Sequence, residues 1–179
     1  MHGDSGSSLM QPLAVVLIVV AKYLVPVLII PFPFAAGWAN FVLDTVDGDL
    51  LIPLGLEDDT YQLIDKSADW ATYVGMVIAA RRWPIKRAVV ALFAMRTVGQ
   101  LLFFITRAEI VFFLFPNFLE PLFLIYATIR HFKKERAGEI YAAHRVGIWA
   151  FVVIYKLQDE WVTHVGNVDR TDLITSLFT

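Results

Sequence analysis

Residues 12–30 are almost all Val, Leu, Ile and Ala, and Lys22 is the only charge among them. A helix rises about 1.5 Å per residue and a hydrocarbon layer is about 30 Å thick, so roughly 20 apolar residues cross it once. A soluble domain has no place to bury such a run together with the further apolar blocks at 34–43, 60–80, 88–105, 110–129 and 137–157. The whole chain is 58% hydrophobic and 18% charged. Soluble domains lie nearer ~45–50% and ~25%. The fold class expected is therefore all-α: a polytopic membrane bundle of about six transmembrane helices over residues 12–157. A polar tail at 1–11 and a polar, amphipathic tail at 158–179 flank it.

The breaks between blocks have recognisable chemistry. Pro31 and Pro33 end the first, and Lys22 within it is expected to snorkel to an interface. The second ends in Asp44, Asp47 and Asp49, followed by a loop with Glu57, Asp58 and Asp59. Residues 60–80 reach spanning length only if Asp65 and Asp69 lie inside the helix. The fifth block holds Pro116, Asn117, Glu120 and Pro121 and should kink. Two basic stretches, 81–87 and 130–136, are expected in the cytoplasm by the positive-inside rule, which makes the chain a multi-pass integral membrane protein and turns the acidic loop outward.

Several functions are excluded or unsupported. The 179 residues contain no Cys, which rules out disulfides, thiolate metal sites and Cys nucleophiles. The formal charge of −2 gives no electrostatic case for nucleic acid. Residues 1–11 lack the basic start of a signal peptide. No His pair has helical ligand spacing, and no phosphate-cradling Gly-rich loop occurs.

The acids are the chemically informative residues. Asp44 and Asp47 are three apart, Asp65 and Asp69 four apart, so each pair shares a helix face. Consecutive antiparallel helices would bring all four to one end of the bundle. Four like charges at low dielectric require protonation or cations, and an all-carboxylate ligand set selects hard ions such as Mg²⁺, Mn²⁺ or Ca²⁺. The alternative is that Asp44 and Asp47 face water at a helix end and Asp69 caps a helix starting near Trp70. Arg96, in mid-span, should pair with an acid or bind an anion.

The run Asp44-x2-Asp47-Gly48, then Asp65-x3-Asp69, resembles the signature D-x2-D-G-x2-A-R-x8-G-x3-D-x3-D of the CDP-alcohol phosphotransferases, in register and without a gap. The resemblance is specific over about residues 43–80. It implies a six-helix membrane fold and two divalent ions, Mg²⁺ or Mn²⁺, on Asp44, Asp47, Asp65 and Asp69. It further implies a CDP-lipid substrate near Gly48, with Asp69 as the base that deprotonates the acceptor alcohol; Arg96, from its mid-span position, is the candidate to touch that substrate's phosphate. The function implied is a metal-dependent phosphotransferase of phospholipid synthesis, with membrane lipids as partners and a homodimer or larger membrane complex as its assembly. Leu51-Ile52 stand where the family has Ala-Arg, and Tyr61 stands where it has Gly. These replacements support an alternative: a non-catalytic accessory or structural subunit of a membrane complex that keeps the fold. Ion transport through the acidic cleft is a third class, without a dedicated motif.

Overall fold

The computed structural model describes residues 5–108 and 110–164, with side chains from 10 to 108 and 110 to 162. Among them there is no strand. The helices are α1 (Ser5–Ile29), α2 (Pro33–Leu51), α3 (Asp58–Ala80), α4 (Lys86–Thr106), α5 (Ile110–Leu114), α6 (Leu119–Phe132) and α7 (Ala137–His164), with a 3₁₀ turn at Lys134–Arg136 before α7. Helix α1 starts upstream of Pro12, so residues 5–11 of the expected polar tail belong to the helix. The tail beyond His164 lies outside the described residues.

Three stretches are long and apolar enough to cross a membrane: Met10–Ile29, Lys86–Thr106 and Lys134–Val162. The other helices fall short for two reasons. Helix α3 carries Asp58, Asp59, Asp65, Lys66 and Asp69, and α2 carries Asp44, Asp47 and Asp49. Helix α6 has 14 residues, a rise of only about 21 Å. The outward residues of α1, Leu13, Val16, Leu17, Val20, Leu24 and Val27, are all exposed and apolar, as hydrocarbon solvent requires.

The chain divides into two compact units, the first ending at Arg82 and the second beginning at Trp83. In the first, α1 packs along both α2 and α3. Ile29, Leu51, Tyr73 and Met76 are its buried core. The α1–α3 contact is close because Gly75 has no side chain: a Cβ there would lie 2.6 Å from the Pro26 carbonyl oxygen. Pro26 also cannot donate the helical hydrogen bond to the Lys22 carbonyl, so α1 is least constrained where Lys22 turns inward. Helix α2 begins with Pro33 in its first turn, where a missing N–H costs nothing, and runs through the acids to Leu51. Asp58 and Asp59 open α3, where carboxylates favour the helix dipole; they are not a detached loop.

In the second unit α4, α5, α6 and α7 pack around an aromatic core. Trp83 stacks on Phe123 with centroids 5.0 Å apart, and Phe103 meets Phe112 at 4.8 Å. The expected kink in the fifth block is a full break. Residues 115–118 separate α5 from α6, because Pro116 can neither donate a backbone bond nor let residue 115 stay helical.

Candidate functional site

The aspartates of the signature are carried by α2 and α3, and three of them meet. Carboxylate oxygens of Asp44, Asp47 and Asp65 all lie within 4.8 Å of one another, so this set could hold a metal ion. Asp47 and Asp65 are buried and Asp44 is about one-third exposed. Asp65 and Asp69 lie inside α3, so Asp69 is no helix cap. Asp69 is half-buried and lines an adjoining recess with Asp44, Asn40, Leu43, Ala68 and Thr72 that is too narrow for a water molecule. Thr72 Oγ1 donates to Asn40 Oδ1 at 3.0 Å and ties α2 to α3 beside the recess.

The centre of the cage is taken by Lys22 of α1. Its ammonium donates to Asp47 and, at 2.6 Å, to Asp65, and stands 3.6 Å from Asp44. The expectation that Lys22 snorkels to an interface is therefore corrected: its side chain is 4% exposed. The physical reason is the two buried carboxylates, whose desolvation an ammonium inside the bundle offsets and one at the interface does not. Lys66 adds a second positive charge, donating to the other oxygen of Asp65 at 2.6 Å. Sequence reasoning placed the acids and missed their partner, which is 25 residues from Asp47 and 43 from Asp65. The available signal was an unpaired lysine deep in the most apolar block.

Tyr61, at the position where the resembled signature has Gly, occupies the space beside Gly48. Its hydroxyl donates to Asp47 Oδ1 at 3.3 Å. A Cβ on Gly48 would come within 2.8 Å of that hydroxyl oxygen. The signature glycine is retained, and the ring of Tyr61 fills the surface it leaves bare. The ring also stands 5.8 Å from the Lys22 ammonium, a further favourable contact for a buried cation.

Arg96 has the acidic partner that a mid-span Arg needs, and that partner is Glu160 of α7, 3.5 Å away. Its Nη1 also donates to the Phe115 carbonyl at 3.0 Å, and its guanidinium lies 4.5 Å from the Phe112 ring centre. Glu160 accepts from the Asn117 N–H at 3.0 Å, and Asn117 Nδ2 donates to Glu120 at 3.3 Å. Lys156 pairs with Asp159 and lies 3.5 Å from Glu160. Asp159 and Glu160, expected in a surface tail, are buried because they serve this network.

Spacing alone lets the three carboxylates fit one hard divalent ion. The ammonium between them answers the same electrostatic demand from within the chain. No family model, curated protein or solved structure matches the chain.

Proposed function

We propose that this chain is a multi-pass membrane protein that resembles the CDP-alcohol phosphotransferases in its aspartate register and works as a non-catalytic subunit of a membrane complex. Its carboxylate cage would act as an ionic lock joining α1, α2 and α3. The observation that carries this reading is the Lys22 ammonium, which meets Asp44, Asp47 and Asp65 at once. An ammonium and a divalent ion cannot share those oxygens. Two unit positive charges 4 Å apart repel by about 4 kcal/mol even at an effective dielectric of ~20, and a divalent ion doubles that. An ammonium facing three carboxylates has no open coordination position for a diphosphate. Tyr61 on Gly48 and the tight recess at Asp69 leave little room for a nucleotide or an acceptor alcohol. The exposed Arg81, Arg82, Lys86 and Arg87, with Lys133, Lys134 and Arg136, favour a cytoplasmic position for both basic stretches, which requires α5 and α6 together to make the return crossing after α4.

The metal-dependent phosphotransferase is the second reading, favoured by the convergence of three carboxylates within 4.8 Å. Lys22 would then leave the cage, and Mg²⁺ or Mn²⁺ on the aspartates would neutralise the diphosphate of a CDP-lipid. Gly48 would border that substrate and Asp69 would take the proton of the acceptor alcohol.

One experiment separates the two. Purified full-length protein in detergent is titrated with Mn²⁺ and followed by electron paramagnetic resonance, while CMP release is assayed with a CDP-lipid and a panel of alcohols. The ionic lock predicts no stoichiometric Mn²⁺ binding and no CMP from the wild type, with Mn²⁺ binding appearing in Lys22→Met. Stoichiometric Mn²⁺ in the wild type, with CMP release lost in Asp69→Asn, would establish the enzyme and overturn the lock.

A further inference from the structure

A groove of about 490 Å³ runs along the α6–α7 face, lined by Ile125, Ala143, His144, Gly147, Ile148 and Phe151. It is shallow and open along its length rather than an enclosed cleft. Its lining is apolar apart from His144, whose Nδ1 donates to the Ile140 carbonyl at 3.0 Å. Ala143, Gly147 and Phe151 follow one another at four-residue spacing and so share one face of α7. Gly147 keeps the floor open: a Cβ there would meet nothing within 4 Å. The groove lies in a stretch, Lys134–Val162, that is long and apolar enough to cross a membrane.

The turn between α6 and α7, before the groove lining begins on α7, carries an excess of basic residues. Lys133, Lys134 and Arg136 are exposed at the turn that opens α7, with the exposed Glu135 between them and Glu139 3.5 Å from Arg136. From Arg136 to Ala143 a helix rises about 10 Å. The headgroup layer on each side of a bilayer is roughly 5–8 Å thick, so this rise carries the chain from phosphate level into hydrocarbon. Basic sites beside transmembrane helices are suited to anionic headgroups.

We infer that this groove seats an acyl chain of an anionic phospholipid whose phosphate is held by Lys133, Lys134 and Arg136. The inference needs α7 to cross the membrane and is independent of what the aspartate cage does. A second copy of the chain fits the face less well, since a two-fold contact would bring the same basic turn of each copy together. The apolar lining and the basic turn instead match the two ends of one lipid.

The test uses full-length wild type, Gly147→Leu, and the triple variant Lys133→Gln, Lys134→Gln, Arg136→Gln. Each is released from vesicles of equal phosphatidylglycerol and phosphatidylcholine, and retained lipid is counted by native mass spectrometry. The wild type should retain phosphatidylglycerol over phosphatidylcholine. The triple variant should lose about 100-fold of that preference, at roughly fivefold per basic residue. Gly147→Leu points into open space, so the fold is kept, and it should cut phosphatidylglycerol retention by at least about tenfold. Unchanged melting temperatures would show that neither variant acts through unfolding. Glycerol 3-phosphate, a headgroup without a chain, should compete only weakly. Equal retention of the two lipids by the wild type would overturn the inference, as would retention indifferent to Gly147→Leu. A dimer that Gly147→Leu splits without loss of lipid would assign the face to a second copy.

Discussion

The two compact units both bury charge, and they use it differently. In the first, Lys22 and Lys66 face Asp44, Asp47 and Asp65. In the second, Arg96 and Lys156 face Glu160 and Asp159, with Glu120 joined through Asn117. Each set has one more acid than base, so charge balance does not distinguish them; what differs is the job of the charged atoms. The cage joins side chains to side chains across α1, α2 and α3. The second network serves main chain broken at Pro116: Arg96 donates to the Phe115 carbonyl and Glu160 accepts from the Asn117 N–H. Buried breaks in a helix persist only where such partners are supplied for the freed backbone groups. A cage of side chains can exchange its cation for another, whereas a network clamped to backbone has nothing to exchange. The first is therefore the candidate site and the second a structural staple.

The largest expected effect comes from Lys22→Met, which leaves buried carboxylates without their cation. The loss should be about 3–5 kcal/mol, on the order of 10 °C in melting temperature for a chain of this size. Mn²⁺ should restore part of it, since the oxygens of Asp44, Asp47 and Asp65 already stand within 4.8 Å. A melting curve of Lys22→Met that overlays the wild type would end the ionic-lock reading.

Glu160 offers the matching cut in the second unit. Glu160→Ala strands the Asn117 N–H and removes the partner of Arg96 and Lys156, at a cost of about 2–4 kcal/mol. Glu160→Gln keeps an oxygen for the Asn117 N–H and should cost about half as much. The comparison breaks if the two variants melt together, because the backbone bond would then contribute nothing beyond the ion pairs.

Gly48→Ala is the next step down. The new methyl group meets the Tyr61 hydroxyl, and overpacking of this kind costs about 1–3 kcal/mol, partly offset by the ~1 kcal/mol that Ala gains over Gly inside a helix. Tyr61→Phe removes the atom in the way and alone should cost about 0.5–1 kcal/mol for a 3.3 Å hydrogen bond. The double variant should be less destabilised than the sum of the singles. Strict additivity would mean that Tyr61 does not occupy the surface of Gly48.

The sequence carried the acids more clearly than their environment. Asp44 and Asp47 are three apart and Asp65 and Asp69 four apart, so helical periodicity puts each pair on one face, while the meeting of Asp44, Asp47 and Asp65 is decided by how α2 and α3 pack. Lys22 was invisible as their partner because pairing between helices 25 to 43 residues apart leaves no trace in one sequence. Snorkelling was the natural reading for a lone lysine in an apolar run. The break at Pro116 was legible as a kink from its proline, yet the side chains that make it tolerable, Arg96 and Glu160, lie on other helices. Asp159 and Glu160 looked like a polar tail for the same reason: local composition is polar there, and burial is decided by what α7 packs against. All-helical architecture followed from the blocks; of the six expected crossings three are long and apolar enough by themselves, while α2 and α3 carry several acids and α6 is short.

The smallest expected effect tests the premise that burial, and not the number of ion pairs, ranks these variants. Arg136 and Glu139 form a pair of the same chemistry, 3.5 Å apart and three residues apart on the chain, with side chains 73% and 77% exposed. Water screens both partners, and holding two long side chains in one geometry consumes most of the Coulomb gain. Glu139→Gln should therefore change stability by no more than about 0.5 kcal/mol, about a tenth of the loss expected for Lys22→Met at the upper end of its range. The same substitution removes an acid from beside the basic turn. Phosphatidylglycerol retention should then rise by up to roughly fivefold while the melting temperature stays put. A fall of several degrees would show that exposed pairs hold this fold as firmly as buried ones, and the ordering by burial would fail with it.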